Sequence, residues 1–458
     1  VKSTDVRVWA IQHDKRRKKP SYRVRWKVGE EVFTHTSRTK GLAETFQSKL
    51  RHAMREGEEF DTLTGRPPSM EEKAAALTWY DFGLLYLRMK WPHAAPNTRD
   101  EINEGLTAAT KALLLDKPAR PTNEVLQRAL RDWAFVLPGP DDREIPSEFA
   151  TALRWVKNAS RPLADLKDPV VMRGVLDSFK LKLDGTPAAG ETARRKRKTL
   201  ANAMEYAVDR GDFVDNPVTT AKWEKPKIAS QVDPRVVANP TQATALLTAV
   251  SYVGGYDRAR GRRLVGMFAG MYYGALRPAE AVGVSLQECT LPEEGWGRAV
   301  LHRTRPTAGK KWTGTGKTHD DRGLKNRAAD DTRIVPLPPG LVAIWKESIK
   351  TFGVADDGRL FFNERGGVVG SSTYYRVWSE ARELALPPDL VKSPLASRPY
   401  DLRHSALSTW LNAGVDPTEV AERAGNSVEV LLGHYAKCLH GRHEVANQRI
   451  ENLLGEYQ

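Results

Sequence analysis

The spacing of the apolar residues changes along this chain, and each spacing limits what its segment can fold into. Near the start the period is two. Val6, Val8 and Ala10 alternate with Arg7 and Trp9, and Tyr22-Arg23-Val24-Arg25-Trp26-Lys27-Val28 repeats the pattern before Gly29-Glu30-Glu31 turns into Val32-Phe33-Thr34. A period of two belongs to strands with one buried face. A three-stranded sheet closed by a helix over residues 42–55 is expected. From residue 78 to about 220 the period becomes that of a helix, as Trp79, Phe82, Leu85, Tyr86 and Met89 show. Asn97-Thr98 and Thr122 or Asn123 offer helix caps, and Pro118, Pro121, Pro138, Pro140 and Pro146 punctuate the run. Beyond Pro240, helical runs at 264–273, 404–411, 428–435 and 445–454 mix with strand-like runs at 299–304 and 332–337. The stretches 62–69 and 222–240, rich in proline, read as linkers. The expected fold is therefore multidomain: a small β-sheet-plus-helix domain (1–62), an all-α domain (63–225) and a mainly α, α+β domain with a tail helix (226–458).

Charge narrows the partners. Lys and Arg number 71 against 57 Asp and Glu, a net +14 over 458 residues. Such an excess suits a polyanion, either nucleic acid or an anionic membrane. No apolar run approaches the roughly 18–20 residues of a membrane span, so no membrane partner is expected. No apolar stretch follows residues 1–5, so a signal peptide is not expected there. With two cysteines, Cys289 and Cys438, a disulfide scaffold is excluded and a reducing cytoplasm is expected, nucleoid-associated if the polyanion is DNA. The ten histidines form no His-Glu-x-x-His or Cys/His cluster, so no metal is expected. Gly314-Thr315-Gly316-Lys317-Thr318 resembles a phosphate loop, but the Walker pattern needs glycine where Lys311 stands.

Three basic clusters are candidate DNA contacts. Arg23, Arg25 and Lys27 interleave with Tyr22 and Trp26, a sheet face that can enter a DNA groove or simply face water. Arg194, Arg195, Lys196, Arg197 and Lys198 begin a helix, where cations oppose the helix dipole. A phosphate backbone there would offset that cost; a solvated surface is the other reading. Lys310 and Lys311 lie in a stretch, 307–322, read as a mobile basic loop.

Arg277 and Arg403 stand in apolar surroundings, in Tyr272-Tyr273-Gly274-Ala275-Leu276-Arg277-Pro278-Ala279-Glu280 and Tyr400-Asp401-Leu402-Arg403-His404-Ser405. A buried guanidinium needs an anion. A carboxylate such as Glu280 or Asp401 would serve, and so would a phosphate, which arginine binds bidentately. Taken singly, each arginine favours the carboxylate.

Taken in order, the segments say more. Gly274 to Glu280, Asp401 to Ser405, and Ala424-Gly425-Asn426-Ser427 followed by Tyr435 resemble the tyrosine recombinase (phage integrase) family, with one extra residue before Arg277. Asn426 falls 23 residues after Arg403, and Tyr435 falls 9 after Asn426, as the family's boxes require. Lys325, in Leu324-Lys325-Asn326-Arg327, matches its β-hairpin lysine. Two positions depart from the pattern, with Tyr400 and Asn426 standing where the family has histidines. A phenol is a poor base at neutral pH, whereas an amide keeps a hydrogen-bond donor for phosphate. His434, beside Tyr435, is a candidate substitute, although helix neighbours point about 100° apart.

The resemblance implies a core-binding helical domain, a weaker likeness to arm-binding domains at the N-terminus, and a site-specific recombinase of a mobile element. Tyr435 would be the nucleophile, forming a 3′-phosphotyrosine on the way to a Holliday junction. Arg277 and Arg403 would stabilise the transition state, Lys325 would act as general acid, and Tyr400 and Asn426 would complete the site. No cofactor is implied, because the protein–DNA link conserves the bond energy. The implied partners are double-stranded attachment sites, a homotetramer on DNA joined through the tail helix, and an excisionase or DNA-bending host factor. Two other classes remain: a degenerate relative that binds DNA without cleavage, and a relaxing enzyme like a type IB topoisomerase.

Overall fold

The computed structural model describes residues 2–14, 21–37, 39–70, 77–139, 141–226, 231–254, 259–324, 331–438 and 442–455. The chain forms two compact units, Val1–Ile228 and Ala229–Gln458.

In the first unit the strand Ser21–Val28 is central. It pairs antiparallel with Val6–Val8 and Gln12–Asp14 along one edge and with Glu31–Ser37 along the other. The sheet thus has four strands where three were expected. Its first run is broken because Trp9, Ala10 and Ile11 lie opposite only two residues, Val24 and Arg25. The extra residue makes a one-residue bulge. Alternation sends Val24, Trp26 and Val28 inward, onto Ala43, Phe46, Leu50 and Ala53 of the helix Lys40–Arg55. Thr39 caps that helix by accepting from the Leu42 amide. Trp26 is therefore core, not part of the basic face. The aromatic beside the cations is Trp9, whose ring lies 5.3 Å from the Arg25 guanidinium.

The stretch 62–69 is packed rather than a free linker. Gly65, at φ +70°, turns its carbonyl onto the Trp26 indole N–H at 2.5 Å. A side chain at Gly65 would strike the Phe33 ring at 2.4 Å. Arg66, 4 % exposed, donates to the carbonyls of Gly211 and Phe213 at 2.5 and 2.8 Å. The helices follow the predicted period. Pro96–Ala112 packs closely on Gly190–Arg210, where a side chain at Gly105 would meet Thr199 at 2.5 Å.

The second unit carries an antiparallel sheet of Cys289–Thr290, Gly297–Leu301 and Arg333–Leu337. The helices Val265–Tyr273, Pro339–Phe352, Ser371–Ala385 and Asp401–Asn412 surround a core that includes Phe268, Trp345, Trp378 and Leu402. A second apolar cluster, with Leu407, Leu411, Val420, Ala424 and Leu431, seats Tyr435. The stretch 307–322 is not an open loop. Thr304 bridges Arg322 and Thr307 bridges His319, and Trp312 is buried. In the tail helix Arg442–Gly455, the side chains of Ile450, Leu453 and Leu454 are exposed. Among the described residues no helix is long and apolar enough to cross a membrane. Among them, too, no group of three or more His, Cys, Asp or Glu is placed to hold a metal ion.

Candidate functional site

Arg277 follows a tight turn at the end of Val265–Tyr273. Ala275 adopts φ +50°, a left-handed conformation uncommon for alanine, within the turn that holds the additional residue. Pro278 then opens the short helix Pro278–Ala281, and Glu280 reaches back to the Arg277 amide at 2.7 Å and to Nη1 at 2.8 Å. The other carboxylate contact comes from the sheet: Arg333 Nη2 donates to Glu280 Oε2 at 2.7 Å. Burial pushes the Glu280 carboxyl up, but Arg333, Arg277 and Arg403 together outweigh it and hold it below its ordinary value. Burial brings the Arg333 guanidinium down to about 10 against the pull of Glu280.

Arg403, 1 % exposed, does not pair with Asp401. Asp401 instead takes Arg398, at 2.8 Å from both its amide and its Nη2. Arg403 donates to the carbonyls of Ala275 and Ala424 and, at 3.3 Å, to Asn426 Oδ1. Arg277 Nη2 reaches the same Asn426 oxygen at 2.9 Å. With its oxygen held by both arginines, the Asn426 amide nitrogen is the donor left over. Gly425, at φ +64°, sets this turn, and a side chain there would meet Arg333 Nη1 at 2.8 Å.

Around Glu280, then, three guanidiniums surround one carboxylate, and Asn426 ties two of them together. Carbonyl dipoles offset part of the excess positive charge, but a buried net charge calls for an anion. The Arg277 side chain is 20 % exposed and the Arg333 side chain 2 %. Arg277 can therefore touch a ligand, with the others set behind it.

Tyr435 ends the helix Val428–Tyr435 and is 3 % exposed. Its hydroxyl lies 2.7 Å from His404 Nδ1. Burial raises the phenol above its usual value, even though Arg403 pulls it down. Burial lowers His404 to about 4, which leaves the imidazole neutral and able to accept at Nδ1. The Tyr400 ring packs edge-on to His404 at 5.0 Å, and its phenol acts electrostatically on Arg277.

Arg277, Tyr400, Arg403, Asn426 and Tyr435 thus come together, whereas Lys325 lies outside the described residues. His434, the candidate substitute, is exposed; the histidine at the Tyr435 hydroxyl is His404. Sequence reasoning missed His404 and Arg333, yet each had a signal. His404 is one helical turn after Tyr400. Arg333 shares a strand face with the buried Val335 and Leu337.

The basic clusters differ from one another. Arg23, Arg25 and Lys27 lie on the face of the sheet away from its core, with Lys27 paired to Glu30 at 3.1 Å. On Gly190–Arg210 much of the charge is already met. Arg194 pairs with Glu191 at 2.7 Å, Arg195 and Lys196 lie 3.9 and 3.7 Å from Glu101 and Glu104, and Arg197 donates to the Val218 carbonyl. Glu191 in the first turn also suits the helix dipole, so the dipole no longer argues for phosphate there. Lys198 and Lys310 are exposed, and the Lys311 ammonium sits 4.7 Å from the Trp312 ring.

No family model matches the chain, and no curated protein does. Among solved structures it is similar to the Tn1549 transposon integrase in complex with transposon right end DNA, at 16 % identity and TM-score 0.47, over 68 % of this chain and 95 % of that one. It is similar to the XerH site-specific recombinase bound to palindromic difH substrate, at 14 % and 0.45, over 77 % and 96 %. It is also similar to lambda integrase bound to DNA, at 12 % and 0.39, over 63 % and 89 %. At such identities and TM-scores these likenesses carry no weight for the chemistry, which rests on the residues above.

Proposed function

We propose that this chain is a site-specific DNA recombinase, an integrase of a mobile element, that cuts and rejoins DNA through Tyr435. The observation that carries the reading is the buried guanidinium excess at Arg277, Arg403 and Arg333, the first two joined through Asn426 and acting on the Tyr435 phenol. A phosphodiester is the anion that needs both features. Its transition state gains negative charge, which preorganised guanidiniums stabilise without reorganising. In-line attack by Tyr435 forms a 3′-phosphotyrosine and releases a 5′-hydroxyl, with Lys325 as the general acid. Attack by the 5′-hydroxyl of a second duplex restores the backbone, and two such exchanges pass through a Holliday junction. The bond energy stays in the protein–DNA link, so no cofactor is consumed.

The outer sheet face with Arg23, Arg25 and Lys27, the helix Gly190–Arg210 and the stretch with Lys310 and Lys311 supply duplex contacts in this reading. The first two belong to arm-binding and core-binding domains, over 1–62 and 63–225. The exposed Ile450, Leu453 and Leu454 suit a tail that docks on a neighbouring copy in a tetramer on paired sites. An excisionase or DNA-bending factor would assist, in a cytoplasmic, nucleoid-associated setting.

The test uses duplexes nicked beside a randomised region, so that cleavage releases a short strand and traps the protein. Wild type is expected to give a covalent protein–DNA band, and Tyr435→Phe to bind DNA without one. Arg277→Ala should slow trapping by about 10²–10³, the scale of one lost transition-state donor. Joining of strands from two duplexes distinguishes a recombinase from a relaxing enzyme. DNA binding with no band from wild type would leave a DNA-binding protein only.

A further inference from the structure

Resting on the recombinase reading, we propose that His404 takes the proton from Tyr435 as the tyrosine attacks the phosphodiester. The imidazole Nδ1 is 2.7 Å from the hydroxyl oxygen that would react. It is held there between two phenol rings, Tyr400 at 5.0 Å and Tyr435 at 5.7 Å between ring centres. The other candidates are otherwise engaged. Tyr400 meets His404 ring to ring with its phenol acting on Arg277, and the Asn426 oxygen, which is no base, accepts from two arginines. Among the described residues His404 is the group at the Tyr435 oxygen that can accept a proton.

The groups facing the imidazole decide its state. On its own element and just before it are Asp401, Arg398, Arg403 and Tyr400; from the helix Val428–Tyr435 come His434 and Tyr435. Burial lowers the proton affinity most, Asp401 raises it, and Arg398, Arg403 and His434 lower it further. His404 is thus neutral at pH 7, and in this proposal its proton is on Nε2 and the Nδ1 lone pair on the phenol. Without DNA, transfer from a phenol raised by burial is uphill, so Tyr435 is quiet. A phosphodiester against Arg277, with Arg403 behind it, brings negative charge that offsets theirs and raises the affinity of the imidazole.

The step balances. The Tyr435 oxygen–phosphorus bond forms as its proton passes to Nδ1. The phosphorus–O5′ bond breaks, and the leaving oxygen takes a proton from the general acid. On rejoining, the 5′-hydroxyl attacks, the phosphotyrosine bond breaks, and His404 returns the proton to Tyr435.

The test uses a nicked duplex selected from the randomised pool by its covalent attachment to wild type. His404→Ala and His404→Gln are expected to bind it normally and to cleave about 10²–10³-fold more slowly, the range for one general base. The wild-type rate should stay level from pH 6 to 8, whereas that of His404→Ala should rise with pH, and added imidazole should restore part of it. Wild-type rates in both variants, or slow rates with no pH slope and no imidazole rescue, would overturn the assignment. A second readout needs no cleavage: nitrogen NMR should show His404 unprotonated at Nδ1 and still neutral at pH 5.5. An Nδ1-protonated ring would overturn the proposal whatever the DNA assay gives. If instead adducts form equally with Tyr435→Phe, it is the recombinase reading that fails.

Discussion

Glu280→Gln exchanges one oxygen for an NH2 group in a side chain that is 1 % exposed. Both carboxylate oxygens are in use, one by Arg277 Nη1 at 2.8 Å, the other by the Arg277 amide and Arg333 Nη2, each at 2.7 Å. Either orientation of the glutamine sets a donor against a donor, and Arg333 keeps its charge with its counter-ion gone. Removing one partner of a buried pair costs roughly 3–5 kcal/mol, a large share of the roughly 5–15 kcal/mol that holds a domain folded. For a unit of this size that is a fall in Tm of about 6–20 °C. The sign with pH follows from the Glu280 shift: burial pushes it up, but its arginine neighbours hold it below the unfolded value. Its contribution is present above the ordinary carboxylate range and lost as pH falls through the folded value. The gap between wild type and variant should be full at pH 7 and narrow in acid. Calorimetry follows this transition beside that of the first unit. A fall of under about 2 °C at pH 7 would refute the view that Glu280 organises the arginine cluster.

Two further outcomes are expected. His35 is 4 % exposed and is lowered to about 4, first by burial and then by the charge of Arg66. The first unit should keep its full stability above about pH 6.5 and lose up to about 1.4 kcal/mol per pH unit between there and pH 4. Urea titrations at pH 7 and 5 check this, and His35→Phe should flatten the loss. Arg25→Ala combined with Lys27→Ala should lower the salt slope of DNA binding by about 2 in anisotropy titrations, if both residues meet phosphates. An unchanged slope would remove this sheet face from the interface.

What could be read from the sequence was what local periodicity encodes. The alternation around Val24, Trp26 and Val28 and the helical run from Trp79 were plain, because burial on one face repeats at the element's own period. The bulge at Trp9 to Ile11 was hidden, since it exists only in register with Ser21–Val28. The stretch 62–69 read as a linker because Gly65, Pro67 and Pro68 break local structure. Its packing depends on carbonyls about 145 residues away, at Gly211 and Phe213. At the site, the pairing of Arg277 with Glu280 was legible as an i,i+3 relation. The choice of Arg398 over Arg403 by Asp401 was not, because it is settled by how the turn before Asp401–Asn412 folds back. Arg333 and His404 enter the site through strand and helix periods that become meaningful only once the neighbouring elements are placed.

The central claim is that the Tyr435 oxygen becomes bonded to DNA phosphate, and the most direct measurement maps that bond. Protein trapped on a nicked duplex is digested with nuclease and protease, and the peptide carrying the nucleotide is sequenced by mass spectrometry. The account predicts one modified peptide, with the 3′-phosphate on Tyr435. A nucleotide on any other side chain, or trapping that persists in Tyr435→Phe, would contradict it.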